Sequence, residues 1–377
     1  MQNLERLALI YEIPAASWQD DAAWPSSTNW QELRTNFLIE PLRPIVRAWR
    51  GTIQPAPADE NGGEGRGGDV LVFRYFAGED DELTTTWAVF LPDGGWSGLQ
   101  GKDFYGIERR RPAPEGDDDN WHPRPLKQLG KALGPKVRRP EDGGYAFQPL
   151  GRAALIAIDP PPGESPLAEA SRLLRNSATL GGDESHWYRP DSARTAVLGT
   201  TAGFVVFSSA VHFVSRNRGD LPTQFERFLL LHGLAHAYRR ALTESSRQLA
   251  EMVPGKGTDD GETETCYRQV RELYDRHVQF EARCYLYSNP VEEASAECSG
   301  MARFTMRRQG IDQLRADLHT QLGLAQRYLA EREADRREQE AKATARRQRW
   351  LNGIVTVIGL ALAAGQTWFG WLGVGGG

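Results

Sequence analysis

RRQRWLNGIVTVIGLALAAGQTWFGWLGVGGG, residues 346–377, is the stretch on which the fold class turns. From Trp350 to Val374 it runs 25 residues without a charge. A membrane-spanning helix needs about 20 predominantly apolar residues. Asn352, Thr356, Gln366 and Thr367 are polar, and Gly353, Gly359, Gly365, Gly370 and Gly373 weaken a helix in water. Glycine is better tolerated between membrane helices, where small residues let neighbours approach. Trp350 at one end and Trp368 and Trp371 at the other match two interfacial aromatic belts. Lys342, Arg346, Arg347 and Arg349 precede the run, which by the positive-inside rule puts that side in the cytoplasm. The competing reading is a buried core helix. Span length and flanking charge favour a single C-terminal transmembrane helix over 350–374, at the inner membrane.

Upstream of that run the pattern is helical. Asp220 reads as an N-cap with Pro222 in the first turn. Phe228, Leu231, Ala235, Tyr238, Leu242 and Leu249 then form one stripe. After PGKGTDDG (254–261), Cys266, Val270, Leu273, His277, Phe280, Cys284 and Tyr287 alternate in steps of four and three, as at a coiled-coil seam. A third helix opens at Pro290, with a stripe from Met301 through Leu329, and need not end before Trp350. At ~1.5 Å per residue it would form a stalk of roughly 90 Å. The expected regions are an α/β domain over 1–219, a helical hairpin and stalk over 220–349, and the membrane helix.

The first region reads as mixed α/β. Strands are expected at LERLALIYEI (4–13), DVLVFRYF (69–76), TTTWAVFL (84–91), RAALIAID (152–159), ARTAVLGT (193–200) and GFVVFSSAVHFV (203–214). Helices are expected at NWQELRTNFLIEPLRPIVRAW (29–49) and SPLAEASRLLRNSATL (165–180). The polar segments from Pro55 and from Arg109 read as loops. The fold class is therefore an α+β, helical membrane protein.

The 377 residues carry 45 basic and 50 acidic side chains, a net charge of −5 that argues against nucleic acid as a general partner. Three cysteines, Cys266, Cys284 and Cys298, make no disulfide framework. The N-terminus lacks the basic and apolar regions of a signal peptide. His232 and His236 stand one helical turn apart, a spacing that can chelate a metal. Gly233 occupies the position where zinc peptidases carry glutamate, and packing histidines are the simpler alternative. His277 falls on the seam and reads as a core histidine. The acids Glu115, Asp117, Asp118 and Asp119 could hold a hard cation, but prolines flank them and a solvated loop suits them better. No catalytic constellation emerges, and no cofactor beyond a divalent cation is suggested.

Asn352, Thr356 and Ile358, with the late glycines Gly370 and Gly373, resemble the first membrane helix of CorA-like cation channels. The family's G-M-N would fall on Gly373, Val374 and Gly375, so its Met and Asn are replaced. Its proline is Ala364 here, and no second membrane helix follows. The resemblance implies a homo-oligomer with a cytoplasmic funnel; the cost of unpaired polar groups in lipid separately predicts helices packed around an axis, with Asn352, Thr356 and Gln366 facing it. The expected function is a membrane-anchored oligomeric sensor or effector, its α/β domain taking a small-molecule or protein ligand; that it permeabilises membranes in a bacterial conflict system is what the resemblance alone implies. The alternatives are a divalent-cation channel and a tail-anchored metal-dependent enzyme using His232 and His236.

Overall fold

The structure, a computed structural model, describes residues 4–54, 67–78, 83–93, 124–138, 147–175, 186–189, 195–208, 221, 223–252, 260–285, 290–292 and 296–373. It divides into two units, Met1–Ser246 with His277–Leu318, and Arg247–Arg276 with His319–Gly377.

The first unit is built on a nine-stranded sheet. Its strands are β1 (Leu4–Ile13), β2 (Asn29–Leu33), β3 (Val46–Ile53), β4 (Gly68–Tyr75), β5 (Thr85–Pro92), β6 (Gln148–Ile156), β7 (Trp187–Tyr188), β8 (Ala196–Gly199) and β9 (Phe204–Phe207). They lie in the order β2-β3-β4-β5-β1-β6-β9-β8-β7. Every neighbouring pair is antiparallel except β6 and β9. Each of the six expected strands contains an observed strand, because their β-branched and aromatic residues suit a sheet buried on both faces. Of the last two expected strands only Ala196–Gly199 and Phe204–Phe207 are strand, and 193–194 and 209–214 lie outside the described residues.

Side chains alternate between the two faces of a strand. On one face Leu7, Leu9, Tyr11 and Ile13 of β1 join Val70 and Val72 of β4 and Ala88 and Phe90 of β5. Helices α1 (Arg124–Leu133) and α2 (Glu164–Arg175) complete that core with Leu129, Leu133, Ala170 and Leu173. On the other face Glu12 pairs in register with Trp87, and Trp87 with Phe73. Helix α3 (Gln224–Met252) covers them, and the Tyr75 hydroxyl donates to the Leu230 carbonyl at 3.0 Å. Thr223 and Glu226 cap α3 reciprocally: the Glu226 N–H donates to Thr223 Oγ1 and the Thr223 N–H to Glu226 Oε2. The N-cap expected at Asp220 lies outside the described residues.

Three expectations are corrected. The helix expected over 29–49 is β2, a short 3-10 turn (Glu40–Leu42), and β3. Pro41 and Pro44 interrupt helical hydrogen bonding, and β3 instead pairs with β4 along its whole length. The single helix expected from Pro290 is divided: Pro290 and Val291 lie beside Ile39 and Leu38, and α5 runs Ala296–Gln309. Gly310 then turns with φ +67° before α6 (Ile311–Gly373).

The third correction concerns the membrane. Residues 350–373 are the last part of α6, but no helix among the described residues is long and apolar enough to cross a membrane. Five glycines, Asn352, Thr356, Gln366 and Thr367 dilute the hydropathy of an otherwise uncharged run. The transmembrane helix is thus not supported, and the inner-membrane location inferred from it loses its basis.

In the second unit, Leu249 of α3, Val270 and Leu273 of α4 (Asp260–Phe280), and Leu322, Ala325 and Leu329 of α6 are buried. From Glu331 to Leu362 α6 is mainly exposed, including Trp350, Leu351, Val355, Val357, Ile358, Leu360 and Leu362.

Candidate anion-binding site

At the end of the first sheet face, three strands place Arg47, Arg74 and Thr86 side by side in register. Two guanidinium groups on directly opposed positions repel unless each is neutralised. Glu32 takes Arg47 at 2.9 Å, and Asp20 takes Arg74. The Asp20 carboxylate also accepts from Trp18 Nε1 at 3.0 Å.

The segment carrying Trp18 and Asp20 is anchored from below. After β1 ends, Pro14–Ser17 turns, and Trp18 bridges to Val137. Lys136 Nζ donates to the Asp20 carbonyl at 2.7 Å and lies 5.7 and 5.2 Å from the ring centres of Trp18 and Trp24. Trp24 stacks on Trp30 at 4.1 Å and tilts against Trp49. Gly134 permits this approach: its φ is +48°, and a Cβ there would meet Pro25 Cγ at 2.6 Å. Among the described residues no carboxylate pairs with Lys136. Its pKa is lowered first by burial, and Arg74 and Arg47 add to the lowering while Asp20 and Asp21 oppose it.

Ala15, Ala16, Trp18, Asp20, Arg74, Thr84 and Thr86 line a cavity of about 290 Å³. Arg74 is 8% exposed, and its Nε has no hydrogen-bond partner among the described residues. A buried charged donor left unmatched is costly; the guanidinium's Nη1 is already paired with Asp20, whose carboxylate belongs to the same lining. A neighbouring depression near Arg34, Arg43 and Arg47 differs: Arg43 there already donates to the carbonyls of Leu38 and Asn36 and pairs with Glu292.

The residues singled out from sequence lie elsewhere. His232 and His236 are on α3 beneath the opposite face of the sheet. The His232 ring packs 5.9 Å from Trp87 and 5.5 Å from Phe204; the His236 ring is 5.3 Å from Trp87. Burial lowers the pKa of His232 to about 3, helped by His236, and that of His236 to about 4, helped by Arg239. Both are neutral at pH 7. His236 Nδ1 is buried without a hydrogen-bond partner among the described residues. Neither histidine belongs to a group of three or more metal donors among those residues. Gly233 has a packing role, since a Cβ there would lie 2.0 Å from the Tyr75 hydroxyl and 2.9 Å from Trp87.

His277 is buried on α4 with Nε2 3.5 Å from Glu281 Oε1, an oxygen that Arg315 Nε reaches at 2.6 Å. Glu115 through Asp119 lie outside the described residues. Asn352 and Thr356 are exposed on α6, and the Thr356 hydroxyl donates to the Asn352 carbonyl at 2.8 Å. Gln366, Gly370 and Gly373 belong to the same helix, whereas Val374 and Gly375 lie outside the described residues.

No family model, curated protein or solved structure matches the chain. The comparisons therefore add nothing to the CorA-like resemblance, and the site is read from its geometry alone. Sequence reasoning missed Arg74 because it sits inside a strand, VFRYF, where one charge among apolar residues was read as strand pattern. That charge was the available signal: an arginine at a position in phase with Val70 and Val72 must face the core side.

Proposed function

We propose that the α/β unit is a binding module for a small anion, a carboxylate or phosphate compound sized to a cavity of about 290 Å³. That volume is at the small end of ligand pockets, which span roughly 300–1,000 Å³. The observation that carries this reading is Arg74, a nine-tenths-buried guanidinium lining the cavity, paired with Asp20 through Nη1 while its Nε has no hydrogen-bond partner among the described residues. Thr84 and Thr86 add hydroxyls to the lining, and Trp18 an apolar wall. Lys136 is outside the lining, its Nζ donating to the Asp20 carbonyl. The reading keeps the small-molecule ligand expected for this domain and does not depend on a membrane.

The test is titration calorimetry of the full chain with inorganic phosphate, acetate, succinate and a phosphate monoester, alongside Arg74→Gln and Thr86→Val. A charge-assisted hydrogen bond contributes about 1.5–3 kcal/mol, so Arg74→Gln should weaken binding roughly tenfold or more. Thr86→Val should weaken it less. Failure of every anion to bind at millimolar concentration, or unchanged binding by Arg74→Gln, would overturn the proposal.

A further inference from the structure

One face of α6 carries an ordered charge pattern. At about 3.6 residues per turn, Leu324, Tyr328, Glu331, Asp335, Glu338, Lys342, Arg346, Arg349, Val357 and Leu360 share a stripe, with Gly353 in the gap before Val357. All of these side chains are exposed; Leu324 is 60% and Val357 and Leu360 are each 66% accessible. The stripe is apolar, then acidic, then basic, then apolar. Reversed, it complements itself.

We propose that this stripe is an interface for a second copy of the chain, bound antiparallel about residue 340. In that register Glu338 faces Lys342 of the other copy, Asp335 faces Arg346, and Glu331 faces Arg349. Leu324 faces Val357, and Tyr328, whose ring has Arg332 of its own helix 5.7 Å away, meets the gap at Gly353. A parallel pairing sets acid against acid and base against base over the same length, a repulsive arrangement. The orientation is thus chosen by charge, and the apolar ends supply the buried area. The contact spans roughly 55 Å of helix at ~1.5 Å per residue.

The charges are available for this role. Glu338 and Lys342 pair within the helix at 2.5 Å, but both side chains are 64% exposed. Such solvated pairs are worth little and exchange readily for contacts with a partner. A second apolar stripe, Leu351, Val355, Ile358 and Leu362, lies on the opposite side of the helix and is not used by this pairing.

The test is sedimentation velocity of the full chain, followed by charge reversal and cross-linking. The native chain should dimerise. Glu331→Lys with Asp335→Lys and Glu338→Lys should abolish the dimer, as should Lys342→Glu with Arg346→Glu and Arg349→Glu. Combining all six changes in one chain should restore it, which a folding defect would not do. For orientation, chains carrying Glu331→Cys are mixed with differently tagged chains carrying Arg349→Cys and oxidised. Disulfide-linked heterodimers with little homodimer support the antiparallel register. A native chain that stays monomeric at every concentration, a sixfold variant that fails to recover, or homodimeric links through position 331 each overturn it. Circular dichroism of each variant confirms that α6 is intact.

Discussion

At His232 and His236 two imidazoles are buried against Trp87, with pKa values lowered to about 3 and about 4. The unfolded chain binds their protons near the ordinary value of about 6.5, whereas the folded chain does not. A depressed histidine pKa stabilises the fold above about 6.5, and that stability is lost as pH falls towards the folded values. The melting temperature should therefore decline between pH 6.5 and pH 4. Replacing His236 by Gln should flatten that decline, and a decline of unchanged slope would count against the assignment. Gly233, between them, admits no side chain because Tyr75 and Trp87 fill the space. Gly233→Ala should cost about 1–3 kcal/mol by overpacking, read from urea denaturation. The histidine pair was visible in the sequence as a spacing. Its environment was not, because which strands lie beneath α3 is a property of the sheet order.

At the scale of elements, the six strands of β-branched and aromatic residues were legible, and so was the seam of α4. Val270, Leu273, His277, Phe280 and Cys284 are all buried, while Cys266 is partly exposed and Tyr287 lies outside the described residues. Phe280 packs 5.0 Å from Phe76 and 6.2 Å from Tyr238. Phe280→Ala should cost about 3–5 kcal/mol, again measurable by denaturation. The misread elements have a common cause. Leu33, Leu38, Leu42 and Val46 repeat near helical spacing, yet Pro41 and Pro44 sit among them and the flanking strands pair with each other, β3 also with β4. Local periodicity carries no record of such partners. Gly310 marks the opposite case, where a single residue with φ +67° divides what reads as one long helix. Its replacement by Ala should cost about 1–2 kcal/mol, since only glycine enters that backbone region freely. A Gly310→Ala chain as stable as the native one would show that the break does not need the left-handed turn.

At the scale of the molecule, the two units differ in what their sequences reveal. The cavity of the α/β unit is assembled from β4, β5 and the segment after β1, so no short motif announces it. The last part of α6 lacks charge over a long run, but its glycines and polar residues leave no helix among the described residues apolar enough to cross a membrane. What the same helix does carry in plain order is its succession of acids and bases. Association through it should weaken as salt is raised, because screening shortens the range of surface charge. Sedimentation at low and high ionic strength checks this; a dimer tightening throughout would point to the apolar ends alone.

The two outermost strands set how these chains can fail. β7 is two residues long, and β2 is five, with Glu32 near its end. Fibril growth recruits long, flat, uncharged edges, and neither strand supplies one. Concentrated native protein should not nucleate amyloid through its sheet or develop thioflavin fluorescence. Turbidity on storage should instead retain the helical circular dichroism of the folded chain.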